Sequence, residues 1–159
     1  MKEAKFTTEI VRSLRYHGGW AYKIPDAPIT KEILKITRFT AAKPSDIVAC
    51  FDSLFVAIET KQLKKWKALS IRDFRPEQIE GLTNIVAHGG RAFVFVNIRI
   101  NTKGQPYENR LLIYDWATWG EKLQAKSIHA KELKERIHYK SFMVDEKRIF
   151  DLTEWLMLL

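Results

Sequence analysis

Two short apolar runs with an acidic residue at the outer end of each constrain this chain more than any other feature. The run 47–51 follows Asp46, and the run 54–58 leads into Glu59. Their length and composition predict two adjacent β-strands, and the two polar residues between them suit a hairpin turn. Such a hairpin places Asp46 opposite Glu59, and residues directly opposite each other point to the same face. The sequence therefore predicts two carboxylates side by side at one end of a hairpin.

A lysine accompanies the two acids. Lys61 lies two residues after Glu59 and so shares its face of the strand. Mg²⁺ prefers oxygen ligands and keeps several waters, so one or two carboxylates suffice to hold it. The bound ion would neutralise charge on a phosphate and lower the pKa of a bound water, and an ammonium group would stabilise the transition state. The three residues predict metal-assisted phosphodiester hydrolysis, although a surface ion pair would leave the same pattern.

The charge balance favours an anionic partner. The chain has 27 Lys and Arg residues against 19 Asp and Glu residues, which gives a formal net charge of +8. A surplus of this size suits nucleic acid, and a merely soluble basic protein is the open alternative. A chain of 159 residues that is 46% hydrophobic can bury a core of ordinary size, so we expect one domain over residues 1–159.

Several other classes of protein are not indicated. The single cysteine, Cys50, cannot form an internal disulfide, and the four histidines show no zinc spacing with it. No apolar stretch approaches the ~20 residues of a membrane span, and residues 1–5 lack the apolar core of a secretory signal. No nucleotide-binding fingerprint is present. We expect an intracellular, cytoplasmic protein without a membrane partner or a nucleotide cofactor.

The remaining pattern predicts a mixed α/β sheet with helices on both faces. Residues 31–40 fit either a helical turn or a strand. The apolar residues 155–159 would pack either into the core or at a subunit interface. Apart from the hairpin, the predicted elements are a helix over 2–17, a strand over 20–24, a helix from Pro76 to His88, strands over 92–96 and 111–114, a helix from Asp115 to Leu123, and short helices over 130–138 and 151–158.

The acidic hairpin resembles the signature of a known nuclease superfamily. Pro44-Ser45-Asp46, followed thirteen residues later by Glu59-Thr60-Lys61, resembles the PD-(D/E)XK motif. Residues 69–82 are similar to the segment after the active-site strand in RecU-type Holliday junction resolvases. Gln78 matches that family's glutamine, whereas Glu77 stands where the family has a histidine. The likeness covers roughly residues 5–120 and implies a restriction-endonuclease-like fold.

The resemblance also implies site residues. Asp46, Glu59 and the backbone carbonyl of Thr60 would hold the metal, and Gln78 would orient the water or contact phosphate. An acid on the first helix often completes the metal site in this superfamily. The position that matches here is Glu9, with Glu3 as the weaker candidate, and a solvated helix acid is the alternative for Glu9.

The activity implied by the resemblance is Mg²⁺-dependent endonucleolytic cleavage of four-way DNA junctions by a homodimer, in recombination and repair, with Mn²⁺ able to substitute. A four-way junction needs two symmetric cuts and hence two active sites. The open alternatives are a nuclease of flap, duplex or restriction-like specificity, and a non-catalytic DNA-binding protein on the same fold.

DNA contacts are predicted from two basic segments. Residues 30–43 occupy the place of the family's projecting stalk, and residues 61–75 are the densest basic stretch. Trp66 would stack on an unpaired base or pack at the domain edge. The DNA-binding candidates are Lys31, Lys35, Arg38, Lys43, Lys64, Lys65, Trp66, Lys67, Arg72 and Arg75.

Overall fold

A five-stranded sheet with helices on both faces forms the centre of the protein. The computed structural model describes residues 2–26, 43–104 and 106–159. The ambiguous residues 31–40 lie outside this part of the chain. The elements are α1 (Lys2–Tyr16), β1 (Trp20–Lys23), β2 (Ile47–Phe51), β3 (Leu54–Leu63), a 3₁₀ turn (Ile71–Asp73), α2 (Pro76–Ala87), β4 (Arg91–Ile100), β5 (Glu108–Asp115), α3 (Trp116–Ala125), α4 (Ala130–Glu135), β6 (Ser141–Val144), β7 (Lys147–Phe150) and α5 (Thr153–Leu156).

The strand order of the sheet is β1-β2-β3-β4-β5. The pair β3 and β4 is parallel, and the other three neighbouring pairs are antiparallel. A parallel pair needs a crossover connection, and α2 supplies it. This mixed sheet confirms the predicted fold class. Within the described ranges, no helix combines the length and the apolar character needed to cross a membrane.

The hairpin of β2 and β3 has the predicted register. Ile47 pairs with Ile58 and Phe51 pairs with Leu54, so the turn is at residues 52–53. Asp52 has a φ of 44° and Ser53 a φ of 72°. Two positive φ values characterise the type I′ turn, whose twist matches that of the strands. The backbone N–H of Asp46 donates to the Ile58 carbonyl at 3.1 Å, which continues the pairing to the acidic end.

Two apolar clusters cover the two faces of the sheet. On one face α1 buries Phe6, Ile10 and Leu14 against the sheet. On the other face α2 and α3 pack with Leu82 and Leu123 over β4 and β5. Each helix presents apolar residues at a spacing of three or four, which is one face of a helix. The sheet is therefore covered on both sides.

The apolar C-terminal segment packs into the first of these clusters. Trp155 is buried, and its ring makes edge contacts with Phe51, Phe93 and Phe95 at centroid distances of 6.2, 5.2 and 5.2 Å. Of the two sequence-based alternatives for this segment, core packing holds for Trp155. The next residues differ, because Met157 and Leu158 are exposed.

Several element boundaries differ from the prediction, and one hairpin was missed. The short helices end early, at Glu135 and Leu156, and β6 and β7 form an unpredicted antiparallel pair. This hairpin carries little apolar alternation of its own. It is positioned by α1, since the Phe150 N–H donates to Ser13 Oγ at 2.8 Å and its ring meets Phe6 edge-on at 5.9 Å. Such long-range contacts leave no local sequence signal.

The turn between β2 and β3 yields a stability prediction. Ser53→Gly should raise the unfolding free energy by about 0.5–1 kcal/mol, because glycine adopts a positive φ without the steric cost that serine incurs. Chemical denaturation checks this. Ser127→Gly, at a position outside the positive-φ set, is the matched control and should not stabilise the protein. Equal effects of the two changes would contradict the assignment of strain to the turn.

Candidate active site

A cavity of about 490 Å³ lies at the acidic end of the β2–β3 hairpin. It brings together four of the five residues predicted to be catalytic, namely Asp46, Glu59, Lys61 and Gln78. Its other lining residues are Ala4, Thr7, Lys23, Asp26, Lys43, Asp73 and Arg75. The cavity is therefore lined by four carboxylates and four basic side chains, and its acids and bases come from several separate segments of the chain.

Asp46 is held in place by hydrogen bonds from β3. Its Oδ2 accepts from the backbone N–H of Thr60 at 2.9 Å and from the Thr60 hydroxyl at 2.7 Å. The Thr60 hydroxyl is in turn 2.8 Å from that of Thr7 on α1. A nearly buried carboxylate is costly unless its oxygens are satisfied. These bonds stabilise the charged form and tie β2, β3 and α1 together at the cavity.

Lys43 forms an ion pair with the other oxygen of the Asp46 carboxylate. Its Nζ lies 2.9 Å from Asp46 Oδ1 and 2.7 Å from Asp26 Oδ1. Burial by itself would raise the pKa of Asp46, but the hydrogen bonds from Thr60 and Lys43 outweigh it, so the pKa is lowered. Burial would likewise lower the pKa of Lys43, but its two carboxylate partners raise it. Both groups are therefore charged at neutral pH.

Glu59, Lys61 and Gln78 form a second, closely connected group. Glu59 Oε1 accepts from Gln78 Nε2 at 2.5 Å and lies 3.0 Å from Lys61 Nζ. Lys61 Nζ also donates to Gln78 Oε1 at 3.2 Å, and it lies 4.8 Å from the centre of the Phe74 ring. Gln78 Oε1 additionally accepts from the Arg75 N–H at 2.9 Å. Gln78 thus caps the start of α2 and fixes Glu59 and Lys61 relative to that helix.

Glu9 does not line the cavity, which corrects the expectation that it completes the site there. It is buried against β4 and β7, where Arg99 lies 2.5 Å and Arg148 3.8 Å from its carboxylate oxygens. A helix turns by about 100° per residue, so Glu9 is rotated by about 200° from Thr7. The role of Glu3, the weaker candidate, stays a prediction.

Lys43 was predicted to contact DNA from a projecting stalk, and the structure places it elsewhere. Its side chain is only 12% exposed and lies inside the cavity, paired with two acids. The neighbouring stalk candidates Lys31, Lys35 and Arg38 lie outside the described residues, so their role as DNA contacts stays a prediction.

The basic candidates after β3 are mostly exposed. Lys64, Lys65 and Arg72 are exposed, and Lys67 is 3.2 Å from Asp73. Arg75 is exposed and also lines the cavity. These side chains lie on the surface where a polyanion could meet them.

Trp66 takes the packing alternative rather than presenting a free ring face. It is half-buried, and its ring centroid is 5.9 Å from that of His138. The charged groups of Arg110 and Lys134 lie 5.7 and 5.6 Å from the same ring. Cations over an aromatic face are attracted to it, so these contacts hold the indole at the domain edge.

Sequence reasoning missed several cavity residues. Asp26 and Lys23 come from the end of β1, which antiparallel pairing places beside Asp46; the Ile24 N–H donates to the Asp46 carbonyl at 2.8 Å. Reading this strand end as a neighbour of the motif strand could have found them. No sequence signal placed Asp73 at the cavity. It reaches the cavity from the 3₁₀ turn, where its carboxylate accepts from the Ser70 N–H at 2.8 Å.

The donor set fits a hard divalent cation. No group of three or more His, Cys, Asp or Glu side chains in metal-holding geometry occurs among residues 2–26, 43–104 and 106–159. Asp46 and Glu59 nevertheless line one cavity from opposite positions of a hairpin. Mg²⁺ needs only one or two carboxylates because water fills the other positions. The use of the Thr60 carbonyl as a further ligand stays a prediction.

Comparisons with known proteins agree with this arrangement. The family model described as "RecU: Recombination protein U" matches residues 24–153. The Holliday junction resolvase RecU of Geobacillus thermodenitrificans (strain NG80-2) is 25% identical over 109 residues, which are 67% of this chain and 53% of that protein. The chain therefore spans about half the length of this curated relative.

A solved structure shows the same fold. The 1.6 Å structure of Archaeoglobus fulgidus Hjc, a Holliday junction resolvase from an archaeal hyperthermophile, superposes with a TM-score of 0.50 at 18% sequence identity. The match covers 85% of this chain and 94% of that one. Such similarity supports the restriction-endonuclease-like architecture predicted from the motif.

The placement of Glu9 yields a testable prediction. Glu9→Gln should lower the unfolding free energy by about 2–3 kcal/mol, because two arginines lose a buried anionic partner. It should leave Mn²⁺ binding unchanged, as measured by titration calorimetry on the folded protein. The matched control is Glu135→Gln, since Glu135 is 64% exposed and should affect neither quantity. Loss of Mn²⁺ affinity in Glu9→Gln would restore Glu9 as a ligand.

Proposed function

Because the chain belongs to the Recombination protein U family, we propose that it is a divalent-metal-dependent DNA endonuclease that cleaves four-way junctions. The observation that carries the proposal is the meeting of Asp46 and Glu59 in one cavity, with Lys61 and Gln78 in contact with Glu59. The two similar proteins bear the description Holliday junction resolvase, which supports the choice of substrate.

The metal would be Mg²⁺, with Mn²⁺ able to substitute. Asp46 and Glu59 would hold it, and the backbone carbonyl of Thr60 is the further candidate donor. When bound, the ion supplies charge neutralisation at the phosphate and a water of lowered pKa. The N–H and hydroxyl of Thr60 also support metal binding. Their hydrogen bonds favour the ionised form of Asp46 and fix the orientation of its carboxylate.

The chain's own residues supply positioning and charge. Lys61 is fixed by hydrogen bonds to both Glu59 and Gln78, so its ammonium does not reorganise when negative charge develops on the phosphate. Gln78 would orient the attacking water or contact a phosphate oxygen through its amide. Lys23 and Arg75 also line the cavity and would attract the anionic backbone.

A homodimer is the proposed working form. A four-way junction presents two symmetric strands, and each copy of the chain carries one candidate site. The exposed basic side chains Lys64, Lys65 and Arg72 would contact phosphates and make affinity depend steeply on salt. Such an enzyme would act in the cytoplasm, on nucleoid DNA, in recombination and repair.

Junction cleavage is the decisive experiment. An end-labelled four-way junction and a linear duplex of equal length should be incubated with the protein in Mg²⁺ and in EDTA. We expect paired, symmetric nicks near the branch point only in Mg²⁺. Asp46→Asn and Glu59→Gln should each reduce the cleavage rate by about 10³-fold or more, because metal stabilisation of the transition state is worth several kcal/mol, while junction binding persists.

Controls separate the proposal from its alternatives. Asp145→Asn and Glu121→Gln remove an exposed acid each and should cleave as the wild type does. Equal cleavage of junction and duplex would retain a nuclease but contradict junction selectivity. Tight binding with no cleavage in either Mg²⁺ or Mn²⁺ would identify a non-catalytic DNA-binding protein and overturn the proposal.

The Lys43 contact predicts a change in metal affinity. Lys43→Gln should bind Mn²⁺ roughly tenfold more tightly, because a unit positive charge beside Asp46 Oδ1 no longer repels the ion. Titration calorimetry measures this directly. Lys23→Gln is the matched control, since Lys23 lines the same cavity and loses the same charge; it should change the affinity less. Weaker binding in Lys43→Gln would show that Lys43 instead supports the metal site.

A further inference from the structure

A second depression, with a volume of about 690 Å³, lies beside the candidate active site. Its basic lining residues are Lys5, Lys64, Arg99 and Arg148, and we call it the arginine groove. The lining also includes Tyr107, which is 52% exposed. Among the described residues that line it, Glu9 is the one acid. The groove thus carries a surplus of positive charge that the candidate active site, with its balanced acids and bases, does not.

Two of these cations are held in fixed positions. Glu9 is buried, and its two carboxylate oxygens face Arg99 and Arg148 separately. The side chains of Arg99 and Arg148 are 18% and 27% exposed, so each guanidinium reaches the groove while it is anchored from within. One carboxylate cannot neutralise two guanidinium groups. A net positive charge with restricted freedom therefore remains at this surface.

A hydrogen-bonded row of amides beneath Arg99 reinforces this arrangement. Gln62 Nε2 donates to Asn97 Oδ1 at 2.9 Å, and Asn97 Nδ2 donates to Asn109 Oδ1 at 2.8 Å. Arg99 Nε also donates to Asn109 Oδ1, at 3.3 Å. Asn97 is fully buried. An aliphatic residue would fill the same space without the free-energy cost of burying a polar group. The buried amide is therefore best explained by its hydrogen bond to Asn109, which in turn holds Arg99.

Arg148 is anchored in a similar way through β6. Its Nη1 donates to Ser141 Oγ at 3.0 Å, and Asn109 Nδ2 is 3.4 Å from the same oxygen. The two arginines therefore belong to one connected polar network that spans β3, β4, β5, β6 and β7. A guanidinium whose rotamer is already restricted loses less entropy when it binds an anion.

The groove and the candidate active site flank the N-terminal half of α1. Ala4 and Thr7 line the cavity, whereas Lys5 and Glu9 line the groove. Positions 4 and 9 are about 8 Å apart along the helix axis, since each residue adds ~1.5 Å. On β3, Lys61 lines the cavity, and Lys64, just after the end of β3, lines the groove. A backbone that enters one depression is thus within a few nucleotides of the other.

We propose that the arginine groove binds the phosphate backbone of DNA beyond the phosphodiester that is cleaved. This inference rests on the proposed function. Arginine pairs with phosphate oxygens through two parallel N–H donors, and a row of fixed cations matches successive phosphates. The groove reads no base sequence by this chemistry; it sets the position of the DNA relative to the metal site.

Fluorescence anisotropy tests the inference. It measures the equilibrium binding of labelled four-way junction and of labelled duplex in EDTA, over a series of salt concentrations. The double variant Lys5→Gln/Arg148→Gln should bind at least about tenfold more weakly at moderate salt. The slope of log affinity against log salt should fall by about two, one for each lost phosphate contact. The control Lys126→Gln/Lys131→Gln loses the same charge at exposed positions around α4 and should bind as the wild type does.

The outcomes are separable. A second double variant, Lys5→Gln/Lys64→Gln, alters only exposed side chains, so weaker binding in both double variants excludes a folding defect as the cause. Binding and salt slope equal to those of the control variant would overturn the groove while the proposed nuclease function stands. Absence of DNA binding by the wild-type protein would overturn both the groove and the proposed function.

Discussion

The candidate active site depends on the two hydrogen bonds that Thr60 donates to Asp46. A carboxylate that is 9% exposed would lose hydration without compensation, and the pKa would then rise. The N–H and hydroxyl of Thr60, at 2.9 and 2.7 Å, reverse this balance together with Lys43 and keep the group ionised. The same threonine contacts Thr7 on α1. One residue therefore stabilises the charge of Asp46 and also contacts the first helix, which packs on the sheet.

The cavity combines opposite charges for a physical reason. Two carboxylates close together repel an anionic phosphodiester, and a metal-binding nuclease needs both. The nearby cations Lys23, Lys61 and Arg75 offset that repulsion. Lys43 has a second effect. Its contacts with Asp46 and Asp26 place a positive charge beside Asp46 Oδ1, and a metal would compete with it for that oxygen. A second partner for this lysine, Asp26, remains if Asp46 is occupied.

Helix α1 separates two electrostatic environments. Toward the cavity it presents Ala4 and Thr7, which are small and leave space. Toward β4 and β7 it presents Glu9, which neutralises part of the charge on Arg99 and Arg148. The buried amide of Asn97 and the half-buried amide of Gln62 continue this polar layer into the sheet. The sheet is thus apolar along most of its length and polar at the end where the chain would meet nucleic acid.

The sequence by itself determined the features that depend on neighbours in the chain. The length and composition of the two apolar runs, with the Asp52-Ser53 turn between them, were enough to predict the hairpin, its register and the pairing of Asp46 with Glu59. The motif resemblance added Gln78, which does contact Glu59. The tertiary structure alone decided the position of Glu9, the burial of Lys43 and the hairpin of β6 and β7. Register follows from local geometry, whereas the rotation of a helix over a sheet depends on distant packing partners such as Arg99 and Thr60.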